Sequence, residues 1–337
     1  MSQFIEYSRA DEVSAYQNVR AGELHVADSI QLPNPELSLA DNLQLAKANG
    51  VKYVFVGVPE DIGPRANCGN GGATNGWRSF QSICLNQQHN ECFDWCQVLM
   101  LGKVKTDDIQ AQSQGLSPEE LRPLCAELDQ RVEACLAPIF AQGLYVIVIG
   151  GGHNNAYPII KSLNKASDKT VGCVNLDPHA DFRAMEGRHS GNPFRYAHHD
   201  NALSHYWVMG LHEQKNNRDT IAGLENNGFN YTSYQSLFMR ADVSFEQALT
   251  SSRNYVADAQ LTGVELDVDG IKNAAASAFS VAGFSLEQAC RFVYVLGQLD
   301  NNRYLHLCES APVDGSEKEA GQLLTQLAYS YLISRSS

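Results

Sequence analysis

Six short apolar runs punctuate the chain, each too uniformly hydrophobic to belong to a sheet with one face in water. They are KYVFVGVP (Lys52 to Pro59), LYVIVIGGGH (Leu144 to His153), VGCVNLDPH (Val171 to His179), YWVMGLH (Tyr206 to His212), GVELDVDG (Gly263 to Gly270) and RYLHLCESAP (Arg303 to Pro312). Such runs, rich in β-branched and aromatic residues, mark strands of a parallel sheet covered by helices on both faces. Longer amphipathic stretches lie between them. SPEELRPLCAELDQRVEACLAPIFAQG opens with Ser117 three residues ahead of Glu120, a capping-box spacing, and closes on Gly143. SLEQACRFVYVLGQL repeats the pattern from Ser285. The alternation predicts a three-layer αβα architecture around a doubly wound, mostly parallel sheet. No repeat, linker or shift in composition marks a boundary. The chain therefore reads as one domain over residues 41–337, with an N-terminal arm, residues 1–40, packed on it.

The runs end in polar groups. One ends at His153, one at Asp177 and His179, one at Asp267 and Asp269, and one at Glu309. Ligands of open parallel sheets bind beyond the carboxyl ends of the strands, so these groups are expected to meet at one rim. Residues two apart on a strand point the same way, about 6.5 Å apart, so Asp177 and His179 can face one cavity, and so can Asp267 and Asp269. Asp181 would lie about 13 Å from Asp177 on a continuing strand, so the backbone is expected to curl after His179. Gly150, Gly151 and Gly152 before His153 permit a tight turn.

Two imidazoles and four carboxylates exceed what one ion usually takes, and two ions about 3.5–4 Å apart with shared carboxylates would use them all. Without cations the four negative charges would repel. The donor set favours Mn²⁺ or a similar fairly hard divalent ion, while leaving nickel or iron open. Taken singly, D-x-H reads more readily as a loop, DVDG as a turn and GGGH as a phosphate-binding turn. Their joint placement at strand-like ends tips the reading to metal.

Composition narrows the partners. With 25 Lys and Arg against 38 Asp and Glu, the formal charge is −13, which argues against nucleic acid or an anionic membrane as the main partner. No export signal or membrane-length apolar run is visible. The nine scattered cysteines fit free thiols in a reducing cytoplasm better than a disulfide framework, and Cys92 and Cys96 have no second pair at zinc-finger spacing.

GGGH, DPHAD and DVD, in this order, resemble the G-G-x-H, D-x-H-x-D and D-x-D segments of the arginase-type ureohydrolase superfamily, and the likeness runs from about Val54 to Pro312. The resemblance implies two Mn²⁺ per subunit. His153, Asp177, Asp181 and Asp267 would hold one ion, and His179, Asp177, Asp267 and Asp269 the other. It further implies a metal-bridging hydroxide as nucleophile, Asp181 as proton carrier, and Glu309 as the group orienting the substrate's planar nitrogen end. A homo-oligomer, trimer or hexamer, is implied as well.

Two segments depart from that pattern. Where arginases and agmatinases have a histidine before the Gly of H-G-x-P, RHSGNPF has Ser190, with His189 one residue early. Where the family reads D-x-D-x-x-D-P, DVDGIKN has Lys272 and Asn273, which puts the loop beyond the ligands in question. Ser190, the triple glycine and ADFR look like the formimidoylglutamase branch, which hydrolyses N-formimidoyl-L-glutamate to L-glutamate and formamide. That substrate carries two carboxylates, so Arg183 and Arg188 are candidate anchors; each has the alternative of pairing with a neighbour such as Glu186. His189, Ser190, Asn192 and Glu309 complete the candidate substrate-binding set. His198, His199 and His205 lack metal-like spacing and read as surface or packing residues, and His212 is a weaker candidate for the substrate mouth. Two alternatives stay open: a guanidino-compound hydrolase of the arginase or agmatinase type, and a catalytically silent protein of the same fold kept for binding.

Overall fold

The computed structural model describes residues 4–18 and 20–335. Among them nine strands form one sheet: β1 (Ile5–Tyr7), β2 (Tyr53–Gly57), β3 (Val98–Val104), β4 (Tyr145–Ile149), β5 (Val171–Leu176), β6 (Leu203–Leu211), β7 (Asn230–Ser233), β8 (Leu261–Asp267) and β9 (Asn302–Cys308). Their order across the sheet is β1-β3-β2-β4-β9-β8-β5-β6-β7. Every neighbouring pair is parallel except β1 with β3. All six apolar runs form strands. The other three carried weaker signals: β1 and β7 are short edges, and the Leu- and Met-containing VLMLGKV of β3 suits a helix nearly as well.

Alternate side chains along each central strand enter different cores, which is why these runs are apolar throughout. Val54, Val56, Val146 and Val148 join one cluster with Leu43 and Leu136 from helices on that face. Tyr53, Phe55, Ile147 and Ile149 join the other with Phe80, Phe292 and Leu324. Helices therefore cover both faces, in the three-layer arrangement expected. The helix Pro118–Ala141 begins with the reciprocal cap between Ser117 and Glu120, and Leu286–Gly297 begins with the same device between Ser285 and Gln288.

The early segment lies along the sheet: β1 pairs with β3 from Ile5 opposite Val104 to Tyr7 opposite Gly102, and the Gln31 amide donates to Val98 O. One topological feature positions everything that follows. β4 and β5 are successive strands, yet β9 and β8 lie between them. The carboxyl ends of β4, β9, β8 and β5 are thus four adjacent rim positions; the candidate metal ligands lie at or just beyond the ends of β4, β8 and β5, and Glu309 just beyond β9.

Candidate metal centre and its cavity

His153 sits at the end of the glycine turn after β4. Gly150 and Gly151 have φ of +87° and +76°, where glycine is favoured. A Cβ on Gly151 would lie 2.7 Å from Val58 O, and one on Gly152 would lie 2.2 Å from Pro64 Cδ. Buried Glu60 clamps this turn: Oε1 accepts from Gly152 N and Asn155 Nδ2, both at 2.7 Å, and Oε2 accepts from the Ile62 and Gly63 amides. The His153 amide donates to Glu309 Oε1 at 2.7 Å, tying the β4 and β9 ends together.

The alternation of ligands does not come from a strand pleat, as the spacing argument assumed. β5 stops at Leu176 and β8 at Asp267. Beyond them the backbone turns on its own carboxylates: His179 N donates to Asp177 Oδ1 at 2.6 Å, and Asp269 N donates to Asp267 Oδ1 at 2.7 Å. Such local bonds compete with a strand ladder and end it. The curl expected after His179 is present, with Asp181 at φ +45°.

These turns gather two donor groups. His153, Asp177, Asp181 and Asp267 each offer one atom within 4.8 Å of the others, and so do His179, Asp267 and Asp269. Asp267 belongs to both. Around His153 Nδ1, Asp181 Oδ2 lies at 2.7 Å, Asp177 Oδ2 at 3.1 Å and Asp267 Oδ2 at 3.4 Å, yet none accepts a hydrogen bond from that nitrogen. Acceptors crowding a buried, unbonded ring nitrogen point at a common centre rather than at each other's protons, which suits a cation. Asp177 also stands 3.4 Å from His179 Nδ1 through Oδ1, between the groups.

The electrostatics agree. Burial, then the neighbouring charges of Asp269 and Asp177, push the Asp267 carboxyl well above its usual range. Burial and then Asp177 raise Asp181, and burial lifts Asp269 to about 6. Burial opposes charging His179, but adjacent Asp177 outweighs it and raises the imidazole to about 9. Asp177 alone moves the other way: burial would raise it, but the adjacent imidazoles of His153 and His179 outweigh that and lower it, so the other three carboxylates are the ones that need added positive charge to stay ionised. The donor set fits two divalent cations.

Behind His153 lies a group the sequence reading passed over. Glu265 Oε2 is 2.7 Å from His306 Nδ1 and 3.5 Å from His153 Nε2, and Glu265 Oε1 accepts from Tyr304 OH at 2.7 Å. The available signal was a glutamate inside an apolar strand, two residues before Asp267 and on the same face. A third set of metal-competent atoms, from His153, His306 and Cys308, belongs to this same buried wall.

The divergent GIKN loop supports the centre from the other side. Asn273 has φ +60°, which a proline ring fixed near −65° cannot adopt, so this loop takes a path that Asp-Pro would forbid. The chain returns to place Ala278 N 2.9 Å from Asp269 Oδ1 and Ser277 Oγ 2.5 Å from Glu309 Oε2. Both oxygens of Glu309 are therefore oriented, and burial followed by the charge of Asp269 raises its carboxyl to about 8.

A cavity of about 270 Å³ opens over these groups, with His179, Asp181, Asp267, Asp269 and Glu309 at its floor. Among the predicted substrate-binding residues, Arg183, Ser190 and Glu309 line it. Arg188, His189 and Asn192 do not. The Arg188 guanidinium is buried, donating to Asp129, to Asn192 Oδ1 at 2.7 Å and to Asn154 O at 2.8 Å, between the rings of Tyr157 and Tyr196. His189 Nδ1 accepts from Gly191 N, and Asn192 Nδ2 binds the carbonyls of Ala184 and Gly187. These three shape the loop that presents Ser190. His212 is buried, stacked on Tyr234 at 4.4 Å, and outside the lining. His198 packs on Phe229 and His205 on Tyr255, and His199 is exposed. Asn67, Lys215 and Ser277 line the cavity and were not foreseen.

The sheet with a carboxylate–imidazole cluster beyond its four central strands defines an arginase-type α/β fold. The profile of the Arginase family matches residues 51–334, and the chain belongs to that family. Formimidoylglutamase of Fusobacterium nucleatum is 23% identical over 322 residues, covering 92% of this chain and 93% of that protein. Formimidoylglutamase of Staphylococcus carnosus is 30% identical over 96 residues, 28% of this chain and 31% of the relative. Across this and two further curated relatives, the matched stretch spans only 31% to 55% of their length. A crystal structure of Trypanosoma cruzi formiminoglutamase with Mn²⁺ superimposes with a TM-score of 0.73 at 18% identity, covering 93% of this chain and 98% of that one. Among the described residues no helix is long and apolar enough to cross a membrane, and the nine cysteines are free thiols.

Proposed function

We propose that this chain is a binuclear manganese hydrolase that adds water across a C–N bond of a linear amidine, converting N-formimidoyl-L-glutamate to L-glutamate and formamide. The observation that carries the reading is the pair of donor groups sharing Asp267 at the floor of a cavity that also presents Arg183 and Ser190. The names of the formimidoylglutamase relatives favour the same substrate. In this reading His153, Asp177, Asp181 and Asp267 would hold one ion, and His179, Asp177, Asp267 and Asp269 would hold the other. A bound pair of divalent ions lowers the pKa of water from 15.7 towards about 7, supplying hydroxide at neutral pH.

The remaining work falls to side chains. Glu309, fixed by His153 N and Ser277 Oγ, accepts from the N–H groups of the planar amidine and sets its plane against the floor. Asp181, facing the cavity, takes the proton released from the attacking water and returns it to the departing amine nitrogen as the C–N bond breaks. Arg183 offers a planar fork to a substrate carboxylate. Ser190, where other branches place a histidine, leaves the lining uncharged at that point.

Formamide release from N-formimidoyl-L-glutamate by Mn²⁺-loaded protein, with arginine and agmatine alongside, tests the reading. Urea from either guanidino compound would overturn the substrate, and full metal loading without turnover of any of the three would favour a silent binding protein. The assembly is a homo-oligomer, trimer or hexamer, in this reading, and light scattering on the purified protein checks it.

A further inference from the structure

The cavity mouth carries a cation that the reaction above leaves unused. Lys215 lines the same space as Arg183. Its ammonium forms no ion pair or hydrogen bond with any described residue, whereas Arg183 stands 3.5 Å from exposed Glu186. The backbone beneath Lys215 is fixed to the metal-ligand segment. Lys215 closes the turn Glu213–Lys215, and its amide donates to His212 O at 3.0 Å. Next to it, the Asn216 side chain accepts from Ala180 N at 2.8 Å and donates to Pro178 O at 3.0 Å and His212 O at 2.9 Å. Pro178 and Ala180 flank His179, so the root of the lysine is held in register with the centre while its charged end stays free.

Lys215 is exposed, so its ammonium is open to an incoming anion. The other groups around the mouth, Asn67, Ser190, Asn217 and Thr220, are neutral. Once cations neutralise the floor, the upper cavity holds two positive side chains and no competing carboxylate partner for Lys215. Such a site attracts a substrate with two carboxylates and repels one whose tail is an amine, so it selects in both directions.

We propose that Lys215 anchors one carboxylate of the substrate and Arg183 the other, making Lys215 a specificity-determining residue for dicarboxylate amidines. This rests on the amidine-hydrolase reading for its substrate but not for the charge it recognises. The lysine acts as a compact, mobile point charge, and the arginine as a planar fork.

The test compares wild type, K215M, K215R and R183M on N-formimidoyl-L-glutamate and its two monoamides, amidated at the side chain or at the α-carboxylate. Loss of a charge-assisted contact is worth about 10- to 100-fold in kcat/KM. K215M is expected to lose that much on the diacid and to stop discriminating against one monoamide, R183M against the other, and K215R is expected to restore most of the preference. A K215M protein whose three kcat/KM values keep the wild-type ratios would overturn the assignment. Calorimetric binding of L-glutamate against L-glutamine and L-isoglutamine to the Mn²⁺-loaded protein separates the two readings. If K215M abolishes the preference for glutamate over one of the two amides while wild type hydrolyses no formimidoyl compound, the reaction falls and Lys215 stands. If both preferences survive in K215M, Lys215 falls whatever the reaction.

Discussion

Replacing Arg188 by methionine distinguishes a structural arginine from a substrate-binding one. In the fold this guanidinium is 4% exposed and its partner Asp129 is 7% exposed, with Arg188 Nε 2.8 Å from Asp129 Oδ2. It also holds Asn154 O, one residue from His153, and lies 4.7 and 4.8 Å from the Tyr157 and Tyr196 ring centres. R188M fills much of the same volume but leaves a buried carboxylate without its cation. Breaking a buried pair from one side costs about 3–5 kcal/mol. A chain of this size unfolds with an entropy of ~0.7 kcal/mol/K, so a loss of about 4 kcal/mol lowers Tm by about 6 °C. Calorimetry on metal-loaded protein, with urea unfolding beside it, reads this directly. Adding Asp129→Leu should recover most of the loss, because the double variant buries no orphaned charge. A protein with wild-type Tm but a raised KM would refute the reasoning and return Arg188 to the substrate.

Two further outcomes follow from the centre. Asp267→Asn weakens both donor groups at once, so metal content measured by elemental analysis should fall from about two ions per chain to fewer than one, whereas His179→Ala should retain about one; equal losses in both variants would contradict the shared position of Asp267. The second concerns pH in chelated protein. Asp269 at about 6, Glu309 at about 8 and His179 at about 9 all lie above their unfolded values, while burial holds His189 and His212 at about 4, so the two sets oppose each other below about pH 6.5 and the raised groups dominate above it. Stability of the metal-free protein should therefore fall as pH rises from about 7 to 9, and Mn²⁺ should flatten that slope; a metal-free Tm that rises over this window would refute the crowding of carboxylates.

The sheet and the cluster of carboxylates and imidazoles at its rim were legible for the same reason: a strand buried on both faces shows as an apolar run, and its polar terminus shows as a sharp break. His153, Asp177, Asp267 and Glu309 follow such breaks closely. The route by which they converge was not legible, since the Asp177 and Asp267 turns replace the strand pleat from which their alternation was first read. Nor does adjacency in sequence fix side-chain direction in a loop. Arg188, His189 and Ser190 are consecutive, yet the first reaches Asp129, the second turns inward against Gly191 and Asn192, and only the third meets the cavity. Ser277 is placed by Glu309, and Lys215 by its neighbour Asn216, whose side chain accepts from Ala180 N; both partners lie far away in the chain, and no local pattern encodes such contacts. Lys215 does stand three residues past the apolar run ending at His212, the one trace of it in the local sequence.

The insertion of β9 and β8 between β4 and β5 dictates when during synthesis the protein comes into being. A ribosome adding about 5–20 residues per second emits β5 well before the last two central strands, leaving β4 and β5 with bare edges that invite pairing with another nascent chain. A message truncated before residue 302 would yield a split sheet, and no amount of metal could mend it.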